Sequence, residues 1–316
     1  MVVLAVYWLV VNLLFYSISR SNVRCSTSCP KECQCTLTPT SHTTVECNGV
    51  FLSDVPKDFP SNMVQLSLRK NNIKKIKPNT FSTFVNLRHL DLSGNTIEEL
   101  PANVFQRLKK LRILKLTQNK IREMHVDAFS GLWKLKYLSL EHNELTSLRK
   151  ESLLHLKELK FLDVSANRLT DISPNCFTHL PLLGVLNMNA NALGVVKSSW
   201  FGEMPHLYMI DLSENFIDHI EPNSFSGMKK LQILSIQYNE ISFIAPGTIR
   251  RLKKLQYLLI NNNLLDCTCD LVSQIDSVKR GKKMVAIDGW CATPPHLSDV
   301  ELKSIDRTKM KCVGSS

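Results

Sequence analysis

Leu111-Arg112-Ile113-Leu114-Lys115-Leu116-Thr117-Gln118-Asn119 sets three leucines ahead of an asparagine in the cadence Leu-x-x-Leu-x-Leu-x-x-Asn. Leu114 and Leu116 flank a lysine, the period-two alternation of a strand with one apolar side. The cadence recurs one step earlier at Leu87, Leu90, Leu92 and Asn95. Working outward, the asparagine stands at Asn71, Asn95, Asn119, Asn143, Asn167, Asn191, Asn215, Asn239 and Asn263, always 24 residues apart. Val164, Met188, Ile210, Ile236 and Ile260 replace leucine in later registers and keep the position apolar. Farther along each register a second large apolar residue returns, at Phe81, Phe105, Phe129, Leu153, Phe177, Phe201, Phe225 and Ile249.

A fixed period of this length selects a leucine-rich repeat. One rung cannot bury its leucines alone, whereas stacked rungs share one continuous core. The chain must turn away after each strand, which leaves backbone donors and acceptors inside. An asparagine amide is both donor and acceptor and can satisfy them across neighbouring rungs. The recurrent phenylalanine fills the wider outer side of each coil. The expected fold is of the α/β class: a solenoid of nine 24-residue rungs, with a curved parallel sheet on its concave side.

Both ends of such a core need caps, and the cysteines stand there. Cys29, Cys33, Cys35 and Cys47 precede the first rung, and Cys267, Cys269, Cys291 and Cys312 follow the last. Residues 1–19 carry no charge, with an apolar run from Val2 to Ile18 and small residues at Ser17 and Ser19, which reads as a secretory signal peptide. An uncleaved signal anchor is the competing reading, at the short limit for spanning a bilayer. No second run of that length follows, so no membrane span is expected in the mature chain. A secretory route and two four-cysteine clusters imply disulfides. Zinc is disfavoured because each cluster holds a Cys-x-Cys rather than the Cys-x-x-Cys of most structural zinc sites.

Those flanks carry a family resemblance. Cys29-Pro30-x-x-Cys33-x-Cys35 with Cys47 stands before the repeats, and Cys267-x-Cys269-Asp270-Leu271 with Trp290-Cys291-x-x-Pro294-Pro295 after them. The chain resembles the extracellular leucine-rich repeat family with N- and C-terminal cysteine-rich caps, from about Cys29 to Cys312. The resemblance implies the pairings Cys29–Cys35, Cys33–Cys47, Cys267–Cys291 and Cys269–Cys312. It also implies caps over residues 20–62 and 266–316, around repeats at 63–265. Many members carry Asn-Pro-Trp where this chain has Asn263-Leu264-Leu265, so the start of the second cap is expected to pack differently. Cys176 sits where sibling rungs carry small residues and reads as a buried free thiol. Cys25 lies before the first cap; it either links two chains, pairs with nothing or is lost in processing.

No catalytic or cofactor-binding constellation appears, and neither a metal site nor a cofactor is expected. Glycine-rich phosphate loops, Gly-x-Ser-x-Gly and His-Glu-x-x-His are all missing from the sequence. His155 and His179 share a column, and two imidazoles alone make a poor metal site. Asp91, Asp163 and Asp211, in Leu-Asp-x-Ser, read as solvated strand residues rather than acid–base pairs.

Surfaces carry the functional signal. Six residues before each asparagine, Ile113, Tyr137, Phe161, Val185, Met209, Ile233 and Tyr257 form an apolar column on the strand side opposite the core. Such a stripe, flanked by polar residues, marks a partner-binding face. Its bland counterpart is sideways packing of each side chain against its neighbours. Seven residues before the asparagine, Arg88, Arg112, Lys136 and Lys160 form a basic row on a chain of net charge +11. Outside cells such a row suits a sulfated glycosaminoglycan such as heparan sulfate, with a solvated edge as the alternative; nucleic acid is not an expected partner. The expectation is a secreted recognition protein of matrix, adhesion or guidance type gripping a protein ligand; an immune receptor ectodomain reading a microbial or antigenic ligand competes. No Asn-x-Ser/Thr sequon occurs, so N-glycans shield neither face.

Overall fold

The computed structural model describes residues 29–279, 285–305 and 310. Nine repeat strands, from Met63–Ser67 through Tyr137–Ser139 to Tyr257–Leu259, lie parallel and in register, Phe161 opposite Tyr137 and Val185. The caps extend this sheet to 12 strands. The N-terminal cap adds the antiparallel pair Gln34–Leu37 and Thr43–Glu46, and the C-terminal cap adds Ala286–Asp288 beside Tyr257–Leu259. The end strands of the repeat array are thereby paired, and the short cap strands Gln34–Leu37 and Ala286–Asp288 become the edges of the sheet.

The core is one cluster running through all rungs and into both caps. The leucines of the cadence are fully buried, as Leu111, Leu114 and Leu116 show. Behind them the phenylalanines stack, Phe81 on Phe105 at 5.7 Å and Phe177 on Phe201 at 5.6 Å between ring centroids. Leu153 interrupts this stack between Phe129 and Phe177. Helix is confined, among the described residues, to Lys150–Leu153, Cys269–Lys279 and short 3-10 turns; the outer side of the coil is mostly turns.

The asparagines do what the amide chemistry required. Asn143 donates from Nδ2 to the carbonyls of Leu116 and Leu140, both at 2.9 Å, and its Oδ1 accepts the Ile121 N–H at 3.0 Å. Asn119 and Asn191 repeat the pattern one rung before and two rungs after. At Asn263 it survives, with Oδ1 accepting the Ile241 N–H at 2.9 Å. Here the departure from Asn-Pro-Trp acquires its shape: Leu265 fills the core, and Leu264 turns outward, 58% exposed.

Cys29–Cys35, Cys33–Cys47 and Cys267–Cys291 are bonded as the resemblance implied. Cys269 is disulfide-bonded too; Cys312, its implied partner, lies outside the described residues, as do Cys25 and residues 1–19, where a signal peptide is expected. Cys176 is a buried free thiol, and burial pushes its pKa up to about 12, so it stays protonated and inert. No helix of the described residues is long and apolar enough to cross a membrane.

Candidate ligand-binding face

The apolar column runs along the sheet as a second cluster, separate from the main core. It joins Ile113, Tyr137, Phe161, Val185, Met209 and Ile233, with Tyr257 and Tyr208 half-buried against it. Parallel in-register pairing brings each member beside its counterpart one rung away, about 4.8 Å along the sheet. The rings of Tyr137 and Phe161 accordingly stack, with centroids 4.5 Å apart and planes within 4°. This corrects the expectation of an open partner-binding stripe in favour of sideways packing: Tyr137 is 7% exposed, Phe161 1% and Met209 0%. The side chains pack sideways, and burial pushes the Tyr137 hydroxyl pKa well up. Tyr208, from the column of the basic row, is a member that the sequence reading missed. Its signal was the change from lysine to glycine to tyrosine along Lys160, Gly184 and Tyr208.

The aspartates beside this seam also differ from expectation. Asp163 and Asp211 are buried rather than solvated. Each folds back on the turn that ends its strand: Asp163 Oδ1 accepts the Ser165 N–H at 3.0 Å and the Ser165 hydroxyl at 2.6 Å. Asp211 does the same for Ser213. An aspartate two residues before a turn amide closes an Asx-turn, which explains the recurrence of Leu-Asp-x-Ser. Burial raises both carboxyl pKa values against these bonds, Asp163 to about 6.

The basic residues line up where the chain enters each strand. The Arg112 N–H donates to the Arg88 carbonyl at 2.8 Å, Lys136 to Arg112 at 2.8 Å, and Lys160 to Lys136 at 2.9 Å. The backbone thus forms a ladder from which four cations project. Arg88, Arg112 and Lys160 are exposed and Lys136 is half-buried. None of the four forms an ion pair among the described residues. Their field is felt at His89: burial first, then Lys115, Arg112 and Arg88, hold its pKa down at about 4. Half-exposed Trp133, three residues before Lys136, has the Lys109 ammonium 5.6 Å from its ring. At the N-terminal end of the sheet a pocket of about 260 Å³ opens between Glu46, Arg69, His89, Asp91 and Lys115.

His155 lies 3.7 Å from Asp127, and the described residues contain no group of three side chains able to hold a metal ion. The arrangement offers a long seam and a cationic edge.

The family model described as leucine rich repeat matches residues 61–121, 109–169, 134–193, 159–215, 185–239 and 205–265. Among solved structures, the chain is similar to one chain of the octameric complex of latrophilin 3, Unc5D and the FLRT2 leucine-rich repeat. That match has 23% identity, covers 90% of this chain and 100% of that one, and has a TM-score of 0.56. Human 5T4, the trophoblast glycoprotein, is 20% identical over 90% of this chain and 99% of its own, with a TM-score of 0.65. A leucine-rich repeat protein of Leptospira interrogans is 25% identical over 74% of this chain and 57% of its own, with a TM-score of 0.61.

Proposed function

The chain belongs to the leucine-rich repeat family, and from that premise we propose that it is a secreted recognition protein, not an enzyme, that grips a protein ligand along its concave sheet. The observation that carries this reading is the second apolar cluster. The solenoid core is complete without it, and earlier rungs place Gln65 and His89 at the same position. Six successive rungs nonetheless spend apolar side chains there, with the two half-buried tyrosines at the rim. With Tyr137 and Phe161 buried in the seam, the accessible aromatic surface of this face is Tyr208 and Tyr257, of a residue type enriched among the anchors of protein interfaces. The disulfide caps suit an oxidising, extracellular setting. The complex that contains FLRT2 offers an analogy for a partner that is itself a protein.

Beside this face, Arg88, Arg112, Lys136 and Lys160 take a sulfated glycosaminoglycan such as heparan sulfate. A linear polyanion along the row replaces their mutual repulsion with attraction. Two measurements test the reading. Purified protein is screened for binding to cells with and without surface heparan sulfate; binding to neither overturns the reading. On immobilised heparin, a variant with all four residues changed to serine elutes at clearly lower salt than one lacking Lys229, Lys230, Lys253 and Lys254. Bound heparin also raises the His89 pKa by cancelling the Arg88 and Arg112 field. Equal elution and an unmoved His89 reduce the row to a solvated edge.

A further inference from the structure

A different edge of the solenoid, where the chain leaves each strand, carries charge and exposed apolar surface in an uneven pattern. The residue after each ladder asparagine forms one column there. The Asn72 N–H donates to the Leu52 carbonyl at 2.9 Å, as the Glu240 N–H does to Ile217 at 2.9 Å and Leu264 to Ile241 at 3.1 Å. Leu52 therefore corresponds to Ile217, and Phe51 to Phe216. Phe51 is 80% exposed at the N-terminal end of this column. Phe216 (60%) and Leu264 (58%) are exposed at its C-terminal end, with Tyr238 (51%) beside them.

The charges divide the same way. Near Phe51 in this register stand Lys70, Lys74, Lys75 and Lys77, interleaved with Asp54, Glu98 and Glu99, of which Asp54 pairs with Lys77 at 3.0 Å; near Phe216 stand Glu214, Asp218 and Glu240, with His219 beside Asp218. The columns match. Lys70 and Glu214 each directly precede a ladder asparagine, and Lys74 and Asp218 each follow one by three residues. No lysine or arginine occurs in 212–222 or 237–247, on a chain whose net charge is +11. Lys74 pairs with Glu98 at 3.2 Å. Lys70, Lys75, Glu214 and Glu240 form no ion pair among the described residues. Lys70 and Glu214 lie six rungs apart, about 29 Å at strand spacing, and Phe51 and Phe216 seven, about 34 Å.

An edge that is basic with one aromatic at one end, and acidic with several apolar groups at the other, complements itself under a two-fold rotation. We propose that this edge is a self-association surface on which a second copy of the chain docks antiparallel. Phe51 of each copy enters the Phe216, Tyr238 and Leu264 patch of the other, and Lys70 and Lys75 of each face Glu214 and Glu240 of the other. A two-fold axis uses both contacts at once and closes the assembly at two copies. With four to five large side chains about half exposed per copy, the pair would bury roughly 1,000 Å² in total. That is the lower bound for a specific interface, so a weak, concentration-dependent dimer is expected.

Sedimentation equilibrium of the protein, carrying Cys25→Ser to remove covalent linkage, tests this over a concentration series. The expected result is a reversible dimer that weakens with added salt. Lys70→Glu with Lys75→Glu makes both facing ends acidic, and Glu214→Lys with Glu240→Lys makes both basic. Each variant should sediment as a monomer while keeping its thermal melt, since all four side chains are exposed or unpaired. Mixing the two variants should restore the dimer, because each reversed end then meets its complement. Phe51→Ser should weaken the dimer by about tenfold or more. A monomer at every concentration, dimerisation unaffected by the charge reversals, or a mixture that stays monomeric would each overturn the proposal.

Discussion

Replacing Asn143 with alanine tests the ladder that holds the rungs in register. Asn143 Nδ2 donates to the carbonyls of Leu116, Leu140 and Glu141, and Oδ1 accepts the Ile121 N–H. The loss is not equal at these partners. The Leu116 carbonyl also accepts from Asn119 at 3.0 Å, and the Leu140 carbonyl from Asn167 at 3.0 Å. Both keep one bond after truncation. The Ile121 N–H has no other acceptor among the described residues, and Ile121 is fully buried. An orphaned buried donor costs about 1–3 kcal/mol, and a bond removed from a still-satisfied carbonyl adds about 1 kcal/mol or less. Asn143→Ala should therefore cost roughly 2–4 kcal/mol. Asn143→Asp keeps an acceptor for Ile121 but removes the donors and buries a charge, so it should cost at least as much near pH 7 and less in acid. Urea unfolding gives the magnitude, and amide exchange at Ile121 gives the location, since opening in a stacked solenoid is local. A loss below about 0.5 kcal/mol, with Ile121 exchange unchanged, would refute the claim that the amides bind rung to rung.

Asp163→Asn should flatten the stability profile in mild acid. Burial raises the Asp163 pKa to about 6, so the folded state holds its proton more tightly than the unfolded chain. Stability from this group is full below about pH 4 and falls as pH rises through 6, by roughly 1–3 kcal/mol. Asparagine removes that fall and keeps the turn, because Asn187 already accepts the Asn189 N–H at 3.1 Å from the same column. Urea melts from pH 4 to 7 check both. Tyr137→Ala should lower stability by about 2–4 kcal/mol, because its ring stacks at 4.5 Å on Phe161 in a buried seam; a thermal melt unchanged from wild type would count against the seam. Cys267→Ser with Cys291→Ser should cost about 2–5 kcal/mol and raise amide exchange in the last rungs first. Uniform exchange along the whole solenoid would argue against an end cap.

The solenoid was legible because its physics is periodic. A leucine every second residue, an asparagine every 24 and an outer phenylalanine each state one local requirement, and stacking repeats the requirement until it is unmistakable. What one rung does not contain was harder to read. That the caps donate strands such as Thr43–Glu46 and Ala286–Asp288 depends on a register between cap and repeat, which no single motif encodes. The burial of the Ile113-to-Ile233 column was misread because alternation says which side of a strand a residue faces. It does not say how tightly neighbours one rung away close over it. Asp163 was misread for a related reason: a carboxylate reads as solvated until the turn it caps, two residues on, is in view. The basic row kept its order in space because the same backbone ladder that pairs the strands carries it.

The most direct test of recognition by the sheet is binding of the fluorescently labelled protein to a panel of cells, comparing two surface variants that melt like wild type. Tyr208→Asp with Tyr257→Asp places charge at the half-buried rim of the concave seam. Arg250→Glu with Arg251→Glu alters an exposed position just after the outer Ile249, away from that seam. The account predicts that the first variant loses cell binding by at least about tenfold, roughly 1.4 kcal/mol, and that the second retains it. Retention by the tyrosine variant together with loss by the arginine variant would contradict it.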